Sequence, residues 1–324
     1  MVSGCKGDSP SNPPDPNETP TTMGVQLDSV APVAQGAMFW APLDATPSPE
    51  GERVYFTAST EEGPAVLATD GAGGTPQVLY AGDLLSAPFG VVSSLDGETL
   101  FISDSARQDV GDEELEDLPV GGILSLATSG GEPALISGTE GTSPRSLHLS
   151  EIDGQEVLHF TGVDPTSGEA AVYRVGVAGG ALETVASGAP LSQPSGIVVG
   201  TDGTVYVADS SAVEGGSAAL LAIKDGQISM LAEELRLGYP AGLTLDVAGV
   251  TLLASGLADD ADSSVVHAID LTSGERSTIS EGISQNSESG GVHRAHGANV
   301  FAWANSDGDE RNPGGTVYLL KGAQ

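Results

Sequence analysis

The hexapeptide Asn305-Ser306-Asp307-Gly308-Asp309-Glu310 carries side-chain oxygens at alternate positions around a glycine. Calcium takes six to eight hard oxygen ligands, and a tight acidic loop can supply several of them. Asn305, Asp307, Asp309 and Glu310 are therefore the candidate Ca²⁺ ligands, and Asp260-Ala261-Asp262 is a sparser version of the same pattern. The loop is not an EF-hand: its glycine stands fourth rather than sixth, and Thr316 occupies the place of the bidentate glutamate. The second set of candidates is imidazole. His148, His293 and His296 carry the nitrogens that Zn²⁺ takes, with Arg145 and Arg294 beside them in the chain. The same residues read equally as packed or hydrogen-bonded histidines of inner strands. No nucleophile declares itself. Ser195 lies in Pro194-Ser195-Gly196 with no Gly-x-Ser-x-Gly elbow, and the glycine pairs fall in turns rather than between a strand and a helix. Whether the chain is an enzyme stays open on these residues alone.

The charge balance narrows the partners. Eleven Lys and Arg face 45 Asp and Glu, a formal net charge of −34 over 324 residues. A polyanion of that size repels nucleic acid and anionic lipid surfaces, which excludes DNA and RNA as partners. The acidity serves solubility in a salty medium, or part of it gathers cations or a basic partner. No apolar run reaches the roughly 18 residues that a bilayer-spanning helix needs.

Cys5 is the single cysteine, so no intrachain disulfide can form. Val2-Ser3-Gly4-Cys5 resembles the end of a bacterial lipobox, whose cysteine is lipidated, although the basic and hydrophobic parts of a signal peptide do not stand before it. The alternative is a chance cysteine in a tail. Residues 6–20 (KGDSPSNPPDPNETP) are polar and proline-rich, a semi-extended spacer. The resemblance implies an extracytoplasmic, outer-membrane-anchored lipoprotein, periplasmic or on the cell surface. Its only membrane contact would be the lipid at Cys5. Residues 1–24 then form a tether and residues 25–324 one folded domain.

The elements that must position these groups repeat. Residues 194–209 (PSGIVVGTDGTVYVAD) read as a hairpin: a Pro-x-Gly lead, alternating apolar residues, a turn at Thr201-Asp202-Gly203 and a second strand. Equivalent starts occur at Pro42, Pro88, Pro144, Pro194, Pro240 and Ser289. Successive starts lie 46 to 56 residues apart, as 42 to 88 and 88 to 144 illustrate. That period suits a four-stranded propeller blade. A third and a fourth strand follow each hairpin, except in the last unit, which ends where its fourth strand should begin. An unmatched apolar segment at residues 25–30 would fill that place. The spacing thus predicts an all-β, six-bladed β-propeller with four antiparallel strands per blade, closed by an N-terminal strand that completes the last blade. Tyr55, Phe101, Leu158, Tyr206, Leu252 and Phe301, one per second strand, are expected as core between blades.

The fourth unit resembles an NHL repeat, and the array as a whole resembles the six-bladed NHL and gluconolactonase-like group. That fold hosts hydrolases, lyases and binding scaffolds alike. The entry glutamate of a gluconolactonase-type metal site is absent, and Leu43-Asp44 stands in the first unit where an acidic ligand would start. His148 and His293 both stand four residues after a repeat start, in units three and six, which face each other in a six-fold ring. Six-bladed amidating-type lyases hold Zn²⁺ with channel histidines, so the layout resembles one ingredient of such a site. Long acidic loops between second and third strands gather on the face where the inner strands begin. Asp104, Asp109, Asp209, Asp259, Asp260 and Asp262 mark this expected binding face. The reading is a monomeric, lipid-anchored module that binds a protein or glycan at the cell surface, with Ca²⁺ ordering its loops. The alternative is a metal-dependent lactonase or lyase acting at the channel mouth, for which Zn²⁺ would serve.

Overall fold

The structure is a computed structural model that describes residues 25–105, 121–213, 216–258, 263–279, 288–306 and 314–322. Six four-stranded antiparallel sheets stand around a channel. Blade one is β2 (Trp40–Pro47), β3 (Arg53–Thr60), β4 (Gly63–Asp70) and β5 (Gln77–Ala81), and blade two is β6 (Pro88–Ser93), β7 (Thr99–Asp104), β8 (Gly122–Ala127) and β9 (Ala134–Leu135). Blade three is β10 (Leu147–Ile152), β11 (Gln155–Val163), β12 (Ala170–Gly176) and β13 (Glu183–Ser187). Blade four is β14 (Pro194–Val199), β15 (Val205–Val213), β16 (Ser217–Lys224) and β17 (Gln227–Glu233). Blade five is β18 (Leu243–Leu245), β19 (Thr251–Leu257), β20 (Ser264–Asp270) and β21 (Arg276–Thr278). Each runs in chain order from the channel outwards.

Blade six is built differently. Its inner three strands are β22 (Glu288–Arg294), β23 (Val300–Ser306) and β24 (Thr316–Gly322), and its outer strand is β1 (Leu27–Gln35) from the other end of the chain. β1 pairs antiparallel with β24, from Leu27 opposite Gly322 to Gln35 opposite Thr316. The closing strand expected at residues 25–30 thus starts two residues later and runs on to Gln35, because β24 offers backbone partners as far as Thr316. The fourth strand of blade two is shorter than expected. It ends at Leu135, and one further bond from Ile136 to Ile123 O precedes the turn at Gly138.

No blade owns a core. The buried apolar side chains fall into six clusters, each shared by two neighbouring blades. One joins Tyr55, Val66 and Leu79 of blade one to Val91, Leu100 and Leu124 of blade two. Another joins Phe39, Phe56 and Leu67 of blade one to Ala302, Ala304 and Val317 of blade six, with Val33 of β1 inside it. The second-strand residues Tyr55, Phe101, Leu158, Leu252 and Phe301 are buried at these seams, and Tyr206 is partly buried against the Leu252 cluster.

Around the channel the inner strands meet backbone to backbone, which explains the Pro-x-Gly lead. A Cβ on Gly90 would stand 2.7 Å from Arg145 O in the next blade, and one on Gly196 would stand 2.6 Å from Ala241 O. A Cβ on Gly242 would strike Val292 N, and one on Gly291 the Asp44 carboxylate. Each glycine is there because the neighbouring inner strand occupies the space of its side chain.

Gly242→Ala is therefore expected to cost about 2–3 kcal/mol, since it collides with backbone that cannot give way. Gly176→Ala, whose Cβ meets nothing within 4 Å, should stay within about 0.5 kcal/mol. Chemical denaturation of both variants beside the parent chain measures the difference.

Candidate functional site

Two residues beyond this glycine ring, each inner strand contributes one side chain to a second ring. Its members are Thr46, Val92, His148, Val198, Thr244 and His293, and all six line one cavity of about 170 Å³. His148 and His293 come from blades three and six and face each other across the axis, as the repeat spacing predicts. The walls also include Thr201, Gly249 and His296, which lie in or beside the turns joining first to second strands. The cavity therefore sits toward the turn side of the channel, away from the face where the acidic loops were expected to gather.

The other mouth carries an aromatic pair. Phe89 begins the inner strand of blade two, and Tyr239 precedes that of blade five, diametrically opposite. Their ring centroids are 6.1 Å apart with planes at 85°, an edge-to-face contact that spans the axis. Beneath it lies the glycine ring.

Asp44 takes the glycine position in blade one. Its Oδ2 accepts the Val91 N–H of blade two at 2.8 Å and stands 2.9 Å from Nε2 of His293 in blade six, while Oδ1 accepts Ala45 N–H. One carboxylate thus ties three blades together at the seam where first and last meet. Asp44 and His293 are both buried. Arg294 is held as firmly: Nε donates to Leu245 O at 2.7 Å, and Nη1 donates to Ala295 O and His296 O. His296 places Nε2 3.3 Å from Ser93 O. Among the described residues His148 has no hydrogen-bond partner. Burial, and beyond it the nearby His159, His293, His296 and Arg294, hold its imidazole well below the usual range, so it is neutral at pH 7. His159 pairs opposite His148 in the sheet, and burial with Arg174 nearby lowers it to about 4.

The remaining sequence candidates land elsewhere. Asp104 and Asp209 are buried rather than exposed on a rim. The carboxylate of Asp104 accepts Ser86 and Ala87 N–H, and that of Asp209 accepts Ser192 and Gln193 N–H. Each holds the segment that leads into its own blade. Asn305, 1% exposed, takes the equivalent position in blade six opposite Ser289, and neither of its amide atoms has a partner among the described residues. Asp307, Asp309, Glu310, Asp109, Asp259, Asp260, Asp262 and Cys5 lie outside the described residues.

Among the described residues no three His, Cys, Asp or Glu side chains are placed to hold one metal ion. His293 and His296 point their Nε2 atoms at Asp44 and Ser93 O, so the three channel histidines do not form a Zn²⁺ ligand set. Sequence reasoning passed over Asp246, Phe89 and Tyr239, and named Asp44 only as a place where a metal ligand would start. Only Asp44 left a trace, as the one carboxylate at a position the repeat gives to glycine.

A family model for the NHL repeat matches residues 191–212, the hairpin of blade four. A comparison with curated proteins gave no match. Similar solved structures include a protein of unknown function from Dyadobacter fermentans, 13% identical, with 93% of this chain and 100% of that chain covered at a TM-score of 0.62. A gluconolactonase from Xanthomonas campestris is 16% identical over 93% of this chain and 98% of its own, with a TM-score of 0.57. A chain of a nidogen/laminin complex is 17% identical over 74% of this chain and 80% of its own, with a TM-score of 0.56. At these identities the likeness is one of fold.

Native stability should fall as pH drops from 7 toward 4. The unfolded chain protonates a histidine near pH 6.5, whereas folded His159 does so only near 4, so acid favours unfolding across that window. His159 alone would contribute up to about 3 kcal/mol of this loss. Thermal melts at pH 7, 5.5 and 4 check it, and His159→Gln should flatten the slope.

Proposed function

We propose that the chain is an extracytoplasmic binding module, tethered through lipidated Cys5, which presents the loop face of its propeller to a protein or glycan at the cell surface. The propeller fold serves catalysis and binding alike; its similar structures include a gluconolactonase and a chain of a nidogen/laminin complex. The observation that favours binding is the Phe89–Tyr239 contact across the loop-side mouth. It places two aromatic side chains across that mouth, between the loop face and the channel histidines. Tyr239 is 45% exposed and Met38 46%, both on this face. Aromatic side chains and methionine are enriched in interface cores. The surrounding acidic loops would steer a basic partner, and Ca²⁺ at Asn305, Asp307, Asp309 and Glu310 would order one of them.

A photo-crosslinking amino acid at position 239 or 38 is expected to give a discrete adduct in intact cells, and one at exposed Met230, on the outer strand of blade four, to give none. Equal labelling at all three positions, or none at 239 and 38, overturns the reading. Cys5→Ser should move the protein from the membrane to the soluble fraction on cell fractionation. Unchanged membrane association removes the anchor.

A further inference from the structure

We propose that the turn-side cavity is a binding site for a small zwitterion of the α-amino acid class, its carboxylate on Arg294 and its ammonium group on Asp246. The site lies at the opposite end of the channel from the loop face and does not depend on the binding role proposed for that face.

Both charged groups line the cavity, and both are fixed in place before any ligand arrives. Arg294 spends Nε and Nη1 on the carbonyls of Leu245, Ala295, His296 and, at 3.4 Å, Ala298. Its Nη2 has no partner among the described residues. Asp246 accepts Val250 and Thr251 N–H on Oδ1, at 2.8 and 2.9 Å, and its Oδ2 has no partner among the described residues. Burial lowers the Arg294 guanidinium from its usual range and the nearby Asp246 charge opposes that shift, yet among the described ion pairs the two form none. Asp246 is buried and Arg294 half-buried, and two opposite charges partly withdrawn from water and held apart leave part of their desolvation cost uncompensated. A solute carrying both charges on neighbouring carbons satisfies each in turn.

The rest of the cavity sets the class of solute. An anion alone meets the Asp246 carboxylate and a cation alone meets Arg294, so each single charge is disfavoured by the group it does not match. His148, neutral and without a partner among the described residues, adds one donor and one acceptor on the far wall. Val92, Val198 and Val247 leave apolar surface for a short alkyl side chain. A volume of about 170 Å³ limits the ligand to roughly seven non-hydrogen atoms, since an apolar cavity of about 150 Å³ takes one benzene. The lining includes Thr201, Gly249 and His296, in or beside the turns between first and second strands, so the turn face is the nearer mouth for a ligand.

The test is calorimetric titration of the full-length protein with L-alanine, sodium acetate, methylammonium chloride and glycerol at matched ionic strength. Saturable binding of alanine, with the other three at least tenfold weaker, is expected. Asp246→Asn keeps the Oδ1 acceptor and loses the charge, so it should fold as the parent does and bind alanine at least tenfold more weakly. The proposal is overturned if alanine does not saturate, if acetate or methylammonium matches it, or if folded Asp246→Asn binds alanine unchanged. Should that variant not fold, the four-ligand panel on the parent chain decides alone.

Discussion

Six sheets can form a ring only if each inner strand comes close enough to the next to seal the seam, and here that approach is as near as backbone allows. Gly90, Gly196, Gly242 and Gly291 leave no room for a β-carbon beside the following blade. The apolar clusters obey the same rule, each divided between two sheets. A blade removed from its neighbours would expose half of two cores and gain nothing of its own. The ring must therefore close, and closure falls to one antiparallel pair, β1 with β24. Without it β24 would stand as an unpaired edge, the kind of surface that recruits other chains.

The seam where the chain's two ends meet is also where the repeat is broken. Asp44 replaces the small residue, and Gly291 makes space for its carboxylate. Hydrogen bonds from Val91 and His293 then tie blades one, two and six. A buried carboxylate is tolerable only when its oxygens are hydrogen-bonded, and this one is satisfied on both. The same connection fixes the ring of His293, one wall of the channel cavity. Closure of the fold and the shape of the cavity thus share a residue.

The channel's two ends have different chemistry. Toward the loops it carries an aromatic contact; toward the turns it holds the neutral His148 beside His293 and His296, a locked arginine and a locked aspartate. The net charge of −34 says nothing of this second environment, because a sum over the chain does not register which groups are buried. Asp104 and Asp209 make the same point from the other side. Counted as surface acid, they serve instead to hold backbone N–H groups at the lead into two blades.

Much of the architecture was legible in the chain because it is local and repeated. Alternating apolar residues, tight turns and a 46-to-56-residue period specify hairpins and their number, and a missing last strand beside a spare first one specifies how the ring closes. The placement of His148 and His293 across the axis follows from the same count. What repetition could not supply is any contact between residues that occur once and lie far apart in sequence. The pairing of Asp44 with His293, the meeting of Phe89 with Tyr239, and the unpaired closeness of Arg294 and Asp246 each depend on the width and twist of the assembled channel. Periodicity determines which face a side chain takes along its own strand; only the packed ring decides what stands opposite it.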